Sequence, residues 1–389
     1  MTNGQVPESA PRIGIAFQGD PSDPASWSGV PAGLQEGLRA AGAETVPIDA
    51  RFPGSARLAH GLRMSWAAAT ANPLFAAASG ARASKALRSA GVDGSVAIGS
   101  GFALAPALRA VTFEDMTVAQ AARRDDPVYR ALGESAMRRW RERQRLIYER
   151  SIACCVTSRW VAESVHSDYG IPLERIHVVG FGRNVEAVVG AKRDWSVPRF
   201  IFAGMSWERK RGAAVVAAFA AVRELHPEAT LDLVGDHPRV DVEGVTGHGP
   251  LRLDAGPEQR RYAELLGRAT CFVMPSVYEP FGIAYLDAGA AGTPSIGTTV
   301  GGASDAVGPG GRLVDPGDEK ALQATMLEIA APETAKGLGQ LAFEHSALYT
   351  WRAVGERVLR ALALPQVDVQ ELASFLPLPK NADATATRT

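Results

Sequence analysis

Short apolar runs alternate with longer amphipathic segments over residues 12–182. Apolar runs bounded by polar residues predict strands, and segments with apolar positions three and four apart predict helices. The predicted strands are 12–18, 44–49, 95–101, 109–117, 151–158 and 174–182. The predicted helices are 30–42, an alanine-rich stretch within 51–93, 128–150 and 159–169. Strand, glycine-containing loop, helix and strand in repetition are typical of a parallel α/β sheet.

The same pattern begins again after a predicted linker at 187–198. Strands are predicted at 199–207, 230–236, 245–249, 271–276 and 293–299, with helices at 211–225, at 257–268 and after the EPFG motif at 279–282. The second half is therefore also predicted to be a doubly wound sheet. Two such domains of similar size form a cleft at the carboxyl ends of their strands, where ligands bind.

Composition fits an ordinary globular protein of two domains. The chain has 389 residues, 46% hydrophobic and 21% charged, with a net charge of -1, which indicates neither a nucleic-acid partner nor a strongly charged surface. Cys154, Cys155 and Cys271 lie in apolar runs without metal-binding spacing, as expected of buried thiols in a reducing compartment. The chain shows no signal peptide and no apolar run long enough for a membrane span, so a cytoplasmic protein is expected.

Two acids flank the start of one predicted helix. Glu279 precedes a helix expected to begin at about Phe281, and Asp287 lies eight residues after Glu279 within that helix. The free N–H groups and positive end of a helix bind anions or hydroxyl groups. Two acids so far apart are suited to the two ends of one elongated ligand. A cap acid and an unrelated surface acid explain the spacing equally well.

The surrounding residues resemble a known family. EPFGIAYLDAGAAGTPSIGTTVGGASDAVGPGGRLVDPGD (279–318) is similar to the EPFGxxxxEAxAxGxPVIxxxxGGxxExV block of retaining glycosyltransferases of family four, which have the two-domain GT-B fold. FAGMSWERKRG (202–212), LVGDHP (233–238) and GRATCFVMPS (267–276) resemble further family segments in the same order. The likeness is good over most of 174–320 and loose in the first domain.

The resemblance implies roles for residues in the second domain. Glu279 would contact the donor sugar and Asp287 the ribose of the nucleotide, although the family usually has glutamate at the second position. Amides at the start of the helix would hold sugar or phosphate. The remaining donor-binding candidates are Phe281, Gly282, Ile283, Gly235 and His248. His237 and His248 lie in loops of this half, where a general-base role is one interpretation because histidine titrates near neutrality. Packing against the base or ribose, or simply forming the loop, is the alternative.

A basic turn follows the first strand of the second domain. Departure of a nucleoside diphosphate builds negative charge, which Lys and Arg neutralise in enzymes without a metal. No Asp-x-Asp motif occurs, so a metal-free clamp is expected. Lys210 matches the family lysine; Met205 stands where the family often has arginine, and Arg209 or Arg211 is the expected substitute. An ordinary solvated basic turn is the alternative.

The first domain offers weaker signals. Gly29, in SWSGVPAG (26–33), permits close approach of the backbone to the donor phosphates and acceptor, but capping of the helix by Ser28 explains the stretch as well. Relatives have a histidine or aspartate in the loop that here reads FEDMT (113–117), so Glu114 or Asp115 is predicted to contact donor sugar or acceptor, and a loop-capping acid is the alternative. Arg159 and Asn184 follow predicted strands and are further candidates.

The resemblance predicts the whole organisation. Residues 1–190 would form an N-terminal Rossmann-like acceptor-binding domain completed by a C-terminal helix at 351–376. Residues 195–350 would form the nucleotide-sugar-binding domain, and 377–389 a polar frayed tail. Catalytic roles fall on Glu279, Lys210 and Asp115.

The expected activity is metal-independent transfer of a sugar, with retention, from a UDP- or GDP-hexose type donor to a hydroxyl acceptor, without a cofactor. A nucleotide-sugar epimerase and a catalytically weak nucleotide-sugar-binding protein are the alternatives. No nucleic-acid partner is expected. The basic helix at 128–150 either contacts an anionic membrane peripherally or is a solvated face.

Overall fold

The chain folds into two α/β units. The structure is a computed structural model, and it describes residues 10–51, 65–124, 127–185, 193–252, 256–370 and 372–378. One unit comprises Met1–Gly180 and Trp351–Thr389, and the other Phe181–Thr350. Residues 52–64 of the predicted alanine-rich helical stretch, 187–192 of the predicted linker and 379–389 of the predicted tail lie outside the described residues.

The first unit is a six-stranded parallel sheet with helices on both faces. Its strands are β1 (Arg12–Phe17), β2 (Glu44–Asp49), β3 (Gly94–Ile98), β4 (Ala110–Glu114), β5 (Ala153–Val156) and β6 (Ile176–Val178), in the spatial order β2-β1-β3-β4-β5-β6. Its helices are α1 (Val30–Ala40), α2 (Trp66–Ala71), α3 (Pro73–Ala90), α4 (Val118–Ala122), α5 (Pro127–Arg130), α6 (Glu134–Arg150), α7 (Arg159–Tyr169) and, from the end of the chain, α14 (Trp351–Leu362). Burial on both faces explains why β3, β4 and β5 are fully buried.

The second unit repeats the architecture. Its strands are β7 (Arg199–Gly204), β8 (Thr230–Gly235), β9 (Val245–Gly249), β10 (Cys271–Val273), β11 (Ser295–Thr298) and β12 (Gly311–Val314), all parallel, in the order β12-β11-β10-β7-β8-β9. Its helices are α8 (Gly212–Leu225), α9 (Gly256–Arg268), α10 (Ile283–Ala290), α11 (Ala303–Val307), α12 (Glu319–Ala330) and α13 (Pro332–Ser346). The predicted doubly wound α/β fold is confirmed in each unit.

Several predicted boundaries are wrong. The single helix expected over 128–150 is interrupted at Gly133, whose φ of 72° is incompatible with a right-handed helix. The C-terminal helix expected to reach 376 ends at Leu362, where Ala363 has a φ of 46°. Beyond it, Leu376 pairs with Val178 as an antiparallel bridge at the edge of the first sheet. Among the described residues, no helix has the length and apolar composition needed to cross a membrane.

Candidate active site

The predicted basic turn connects β7 to α8. The turn is closed by backbone hydrogen bonds from Lys210 N to Ser206 O (2.9 Å) and from Gly212 N to Trp207 O (3.0 Å). A Cβ on Gly204 would lie 2.0 Å from Cδ of Lys210. The absence of a side chain at Gly204 therefore lets the lysine stem pass over the end of β7 and turn inward.

Glu279 is the centre of a buried ionic cluster. Its side chain is 8% exposed, and its Oε2 lies 3.3 Å from Lys210 Nζ and 3.4 Å from Arg209 Nη1. The hydroxyl of Ser276 donates to the same oxygen at 3.1 Å. Lys210 Nζ also contacts the sulfur of Met274 at 2.8 Å. Two predicted cations and the predicted sugar-binding acid are thus brought together by the fold.

The protonation states of the cluster follow from its charges. Burial alone would raise the pKa of Glu279, but the charges of Lys210 and Arg209 and the hydrogen bonds from Ser276 and Lys210 outweigh burial and lower it. Burial lowers the pKa of Lys210, and the neighbouring Glu279 carboxylate opposes that shift. Glu279 is therefore ionised and paired, which is the state that a sugar hydroxyl or a developing positive charge would meet.

Backbone contacts fix Glu279 from both sides. Its N–H donates to Val300 O at 3.0 Å, and its carbonyl accepts from Gly302 N at 2.9 Å. Gly301 has a φ of 109°, and a Cβ there would lie 2.2 Å from Glu279 O. Gly301 is one of the two adjacent glycines that this chain shares with the family block. Two backbone segments approach so closely here that position 301 has no room for a side chain. Val277 N donates to Arg209 O at 2.7 Å and links the two loops of the site.

The helix after EPFG begins two residues later than predicted. Gly282 is its N-cap, with a φ of 90°, and Ile283 is its first residue. Phe281 lies before the helix, is 1% exposed, and packs its ring against Phe181 and Tyr349 at 5.3 and 5.8 Å between ring centroids. The positive end of α10 therefore lies three residues from Glu279 in the chain.

Asp287 does not join the ionic cluster. It is 3% exposed, and its Oδ1 accepts hydrogen bonds from Asn184 N (2.7 Å) and Val185 N (3.0 Å). We call residues 183–185 the entry segment, because they lie close to the start of the second unit, Phe181–Thr350. Burial raises the pKa of Asp287 to about 7, against the opposing effect of the two amides and the charge of Arg183. Its predicted contact with ribose stays a prediction.

Gly235 and His248 lie on neighbouring strands. Gly235 ends β8 with a φ of 108°, and a Cβ there would lie 2.0 Å from Gly204 O, so only glycine fits where the two strand ends meet. His248 Nε2 is 2.7 Å from Oδ1 of the buried Asp232, which also accepts from Arg268. The His248 side chain is therefore already engaged within the second unit, and its donor-binding role is untested.

The remaining candidates belong to the first unit. Asp115 follows β4 and is half-buried. Its neighbour Glu114 turns into the core, is 2% exposed, and bonds to Tyr148 and Gln144, so Asp115 is the acid of this pair that stays a candidate. Gly29, and not Ser28, occupies the N-cap position of α1, with a φ of 80°. Arg159 is the first residue of α7.

Sequence reasoning missed two members of the cluster, Ser276 and Met274. Ser276 lies three residues before Glu279, and Met274 follows β10 directly. Of the two, only Ser276 could have been predicted from the sequence, because a hydroxyl in the turn before an acid can donate a hydrogen bond to the carboxylate. The contact of Met274 with Lys210 has no local pattern, because the two residues are 64 positions apart.

Comparison with known proteins agrees with these motifs. Residues 197–331 match the family model described as Glycosyl transferases group 1. Glycogen synthase of Mycobacterium tuberculosis is 35% identical over 121 residues, 29% of this chain and 29% of that protein. D-inositol 3-phosphate glycosyltransferase of Paenarthrobacter aurescens is 28% identical over 251 residues, 56% of this chain and 57% of that protein. The aligned stretches thus span under two thirds of these curated relatives.

Solved structures show the fold. Sucrose-phosphate synthase from Thermosynechococcus elongatus matches with a TM-score of 0.62 at 18% identity, over 90% of this chain and 98% of that chain. WaaG, a glycosyltransferase involved in lipopolysaccharide biosynthesis, matches with a TM-score of 0.64 at 14% identity, over 91% and 100%. The predicted GT-B fold is therefore confirmed. The family resemblance of the sequence is confirmed in the second unit, where the EPFG block and the basic turn lie within the stretch that matches the group 1 glycosyl transferase model.

Proposed function

We propose that the protein is a retaining, metal-independent glycosyltransferase that moves a hexose from a nucleotide diphosphate sugar of the UDP or GDP type to a hydroxyl acceptor. The observation that carries the proposal is the buried cluster in which one carboxylate, Glu279, is shared by Lys210 and Arg209. Two cationic side chains share one carboxylate, so the cluster keeps a net positive charge. A negatively charged diphosphate is a ligand that such a cluster would bind. The alternatives remain outcomes of the test below.

In the proposed reaction, the bond between the anomeric carbon and the diphosphate oxygen breaks. The acceptor oxygen forms its new bond to that carbon on the same face, and the acceptor proton passes to an oxygen of the leaving phosphate. Lys210 and Arg209 stabilise the charge that develops on the phosphate. The backbone amides at the start of α10, around Gly282 and Ile283, also donate hydrogen bonds to the sugar or the phosphate in this mechanism.

Glu279 acts on the sugar in this mechanism. As an ionised carboxylate it accepts hydrogen bonds from sugar hydroxyls, and its charge favours the positive charge that develops on the ring. Its position depends on Ser276 and on the backbone contacts with Val300 and Gly302. Asp115 is proposed to contact the donor sugar or the acceptor, and Gly29 to allow close approach of the backbone to the donor phosphates and the acceptor. Gly235 and His248 are proposed to contribute to binding of the nucleotide.

The test is a screen of UDP-, GDP-, ADP- and dTDP-sugars by thermal shift and by detection of released nucleotide. One donor is expected to raise the Tm by mass action and to be hydrolysed slowly without an acceptor. Glu279→Gln should bind that donor but lose turnover by about 100-fold or more, the usual cost of a lost electrostatic contact in a transition state. Lys210→Ala should weaken diphosphate binding by about 10-fold or more, since charge-assisted hydrogen bonds contribute about 1.5–3 kcal/mol.

Glu243→Gln is the matched control, because Glu243 is an exposed acid of the same unit that pairs only with Arg223 in the contacts described. It should change neither binding nor turnover. Absence of any thermal shift at millimolar nucleotide sugar would refute the assignment of the site. Tight binding without hydrolysis, and without transfer to any acceptor, would instead support the nucleotide-sugar-binding alternative, and interconversion of donor epimers would support the epimerase.

A further inference from the structure

The backbone that joins β1 to α1 contains an unusual turn. Trp27 and Ser28 have φ values of 42° and 55°, and Gly29 follows with 80°. Left-handed φ values are costly for residues with a side chain, because the Cβ atom crowds the neighbouring backbone. Among the other described residues that are not glycine, only Arg211 and Ala363 have a positive φ, and each stands alone. Two such residues in succession indicate a conformation that the surrounding structure enforces.

The turn places the indole of Trp27 on the ring of Phe17, the last residue of β1. The ring centroids are 6.3 Å apart and the two planes differ by 11°, which is an offset stack. Both side chains are half-buried. A Cβ on Gly19 would lie 2.3 Å from Cε1 of Phe17, so the loop passes close to this ring. The carboxyl end of β1 thus carries an aromatic surface that is partly exposed to solvent.

This aromatic pair lies at the point where the strand order of the first sheet reverses. β1 has β2 on one side and β3 on the other, and the chain visits β2 before it crosses to β3. In doubly wound sheets, ligands bind outside the carboxyl ends of the strands at such a point. The loops after β1 and β3 meet there, since a Cβ on Gly101 would lie 1.8 Å from Oε1 of Gln18. The pair therefore borders the place where the topology predicts a ligand.

Charged side chains flank the aromatic pair at the end of β2. Asp49 lies opposite Phe17 in the register of β1 and β2. Arg51 donates to the two oxygens of Asp49 at 3.0 and 2.6 Å. The hydrogen bond to Asp49 raises the pKa of Arg51, and the charge of Asp20 adds to the effect, so Asp20 lies near the same guanidinium. The site thus combines aromatic faces with carboxylates that can accept further hydrogen bonds.

This combination fits a saccharide. A sugar ring presents C–H groups on its faces and hydroxyl groups at its rim. The negative face of an aromatic ring attracts the C–H groups, and carboxylates accept hydrogen bonds from the hydroxyl groups. An acyl chain would instead remove water from Asp20 and Asp49 without replacing their hydrogen bonds, which is costly. The residues around Trp27 therefore favour a sugar or cyclitol ring over a lipid.

We propose that Trp27, held on Phe17 by the left-handed turn, is the platform on which the ring of a saccharide acceptor stacks, with Asp49 and Asp20 accepting its hydroxyl groups. The proposal rests on the proposed function and names the class of its acceptor. The costly backbone at Trp27 and Ser28 is retained because it sets the indole at the carboxyl end of β1.

The backbone part of the proposal is tested by Ser28→Gly, which needs no substrate. Glycine adopts a positive φ without steric cost, so the Tm should rise by about 1–4 °C. Ser89→Gly is the matched control, because Ser89 is an exposed serine within helix α3 and its replacement should lower the Tm. A fall in Tm for Ser28→Gly similar to that of the control would overturn the enforced turn.

Binding is tested on the full chain through the ¹⁵N-labelled indole N–H signals of its seven tryptophans, with Trp27→Phe to assign the signal of Trp27. The probes are glucose, mannose, galactose, myo-inositol and their monophosphates at millimolar concentration. Glycerol and butanol serve as hydroxyl compounds without a ring. At least one ring compound should shift the Trp27 signal saturably, whereas glycerol and butanol should not. A signal that no ring compound moves, or that glycerol moves equally, would overturn the platform.

Kinetics then separate a platform from a merely structural tryptophan. With a donor identified by the screen and the ring compound that binds, Trp27→Ala should raise the acceptor KM by about 5- to 10-fold and change kcat less. Trp27→Phe retains a flat ring and should recover most of the loss. Phe343→Ala, which removes an exposed ring of the second unit, is the control and should leave the acceptor KM unchanged. An unchanged acceptor KM in Trp27→Ala would contradict the proposal.

The outcomes distinguish this proposal from the proposed function. If a donor is hydrolysed and only acceptors without a ring receive the sugar, the transferase stands and the saccharide platform fails. If no nucleotide sugar binds, the proposed function fails and the acceptor assignment fails with it, while Ser28→Gly and the indole signals still decide whether the turn is enforced and whether Trp27 binds a sugar ring.

Discussion

Glu114 is a carboxyl group in the core of the first unit, at the end of β4. Its Oε2 accepts from Gln144 Nε2 at 2.7 Å and from the hydroxyl of Tyr148, and its Oε1 is buried without a hydrogen-bond partner. Burial raises its pKa to about 7, against the hydrogen bonds from Tyr148 and Gln144; the nearby Asp115 raises it further. The folded protein therefore holds a proton here at pH values where the unfolded chain has released it.

The pH dependence of stability follows from that proton. Between pH 4.5, the ordinary pKa, and about 7, the folded state binds more protons than the unfolded state, so stability falls as pH rises and then levels off above pH 7. The slope is on the order of 1 kcal/mol per pH unit. Glu114→Gln should flatten the fall in Tm between pH 5 and 7, measured by calorimetry.

Both proteins in that comparison should carry Asp287→Asn, because Asp287 also has a raised pKa and adds a slope of the same sign. Glu149→Gln is the control: Glu149 is an exposed acid of α6 paired with Arg145, and its neutralisation should leave the slope unchanged. An equal slope with and without Glu114 would show that this carboxyl group is ionised in the folded protein.

Residue patterns foretold the ionic cluster only in part. Glu279 and Lys210 are found because each falls in a short motif at a strand end. The tertiary structure decides where an acidic side chain points, and the local sequence does not show it. Glu114 and Asp115 are adjacent in sequence, but only Glu114 turns into the core. For the same reason the sequence could not show that Asp287 meets Asn184, since that contact depends on the path of a chain segment a hundred residues away.

At the scale of elements, helices α1 and α14 cross at unusually short range. A Cβ on Gly37 would lie 1.9 Å from Trp351 O, and a Cβ on Gly355 would lie 2.3 Å from the carbonyl carbon of Gly37. A Cβ on Gly33 would meet the indole ring of Trp351 at 2.2 Å. Gly37 and Gly355 thus allow the two backbones to touch, and Gly33 makes room for the indole ring of Trp351.

Gly37→Ala should destabilise the first unit by about 1–3 kcal/mol, because the methyl group meets backbone that cannot move without shifting α14. The matched control is Gly337→Ala in α13, where a Cβ would meet nothing within 4 Å. That change should stabilise the protein slightly, by about 0.5–1 kcal/mol, because alanine loses less conformational freedom in a helix. Thermal unfolding measures both; similar effects of the two substitutions would contradict the close crossing.

The order and type of the elements were predictable because apolar runs and amphipathic stretches are local. Their ends were less so. The break at Gly133 inside the expected helix depends on one positive φ. The start of α10 at Ile283 depends on another, at Gly282. The sequence does not show whether a given glycine will adopt the left-handed conformation or stay within a helix. Gly37, for example, stays within α1.

At the scale of the whole molecule, the first unit is built from both ends of the chain. Helix α14 buries Val354, Val358, Leu359 and Leu362 within it. Arg357 donates to Val179 O at 3.0 Å and to Ser374 O at 2.9 Å. Four buried aliphatic side chains contribute roughly 6–12 kcal/mol, which is comparable to the entire stability of a typical domain.

A chain that stops after Thr350 should therefore lose the first unit and keep the second. Hydrogen exchange should show rapid exchange of amides in β1, β3 and β4, with retained protection in β7 and β8. A chain that stops after Leu378 is the control and should keep both. Persistent protection of β4 in the shorter chain would show that residues 1–180 fold without their C-terminal helix.

This discontinuity also sets an order of events during translation. The first unit lacks α14 and the Leu376 bridge to Val178 until the ribosome has passed through the whole second unit, Phe181–Thr350. At about 5–20 residues per second, those 170 residues take roughly 10–35 s to synthesise. The unit that contains the N-terminus is thus the last to be completed, and for that interval the apolar face of α1 that α14 will cover is open to chaperones.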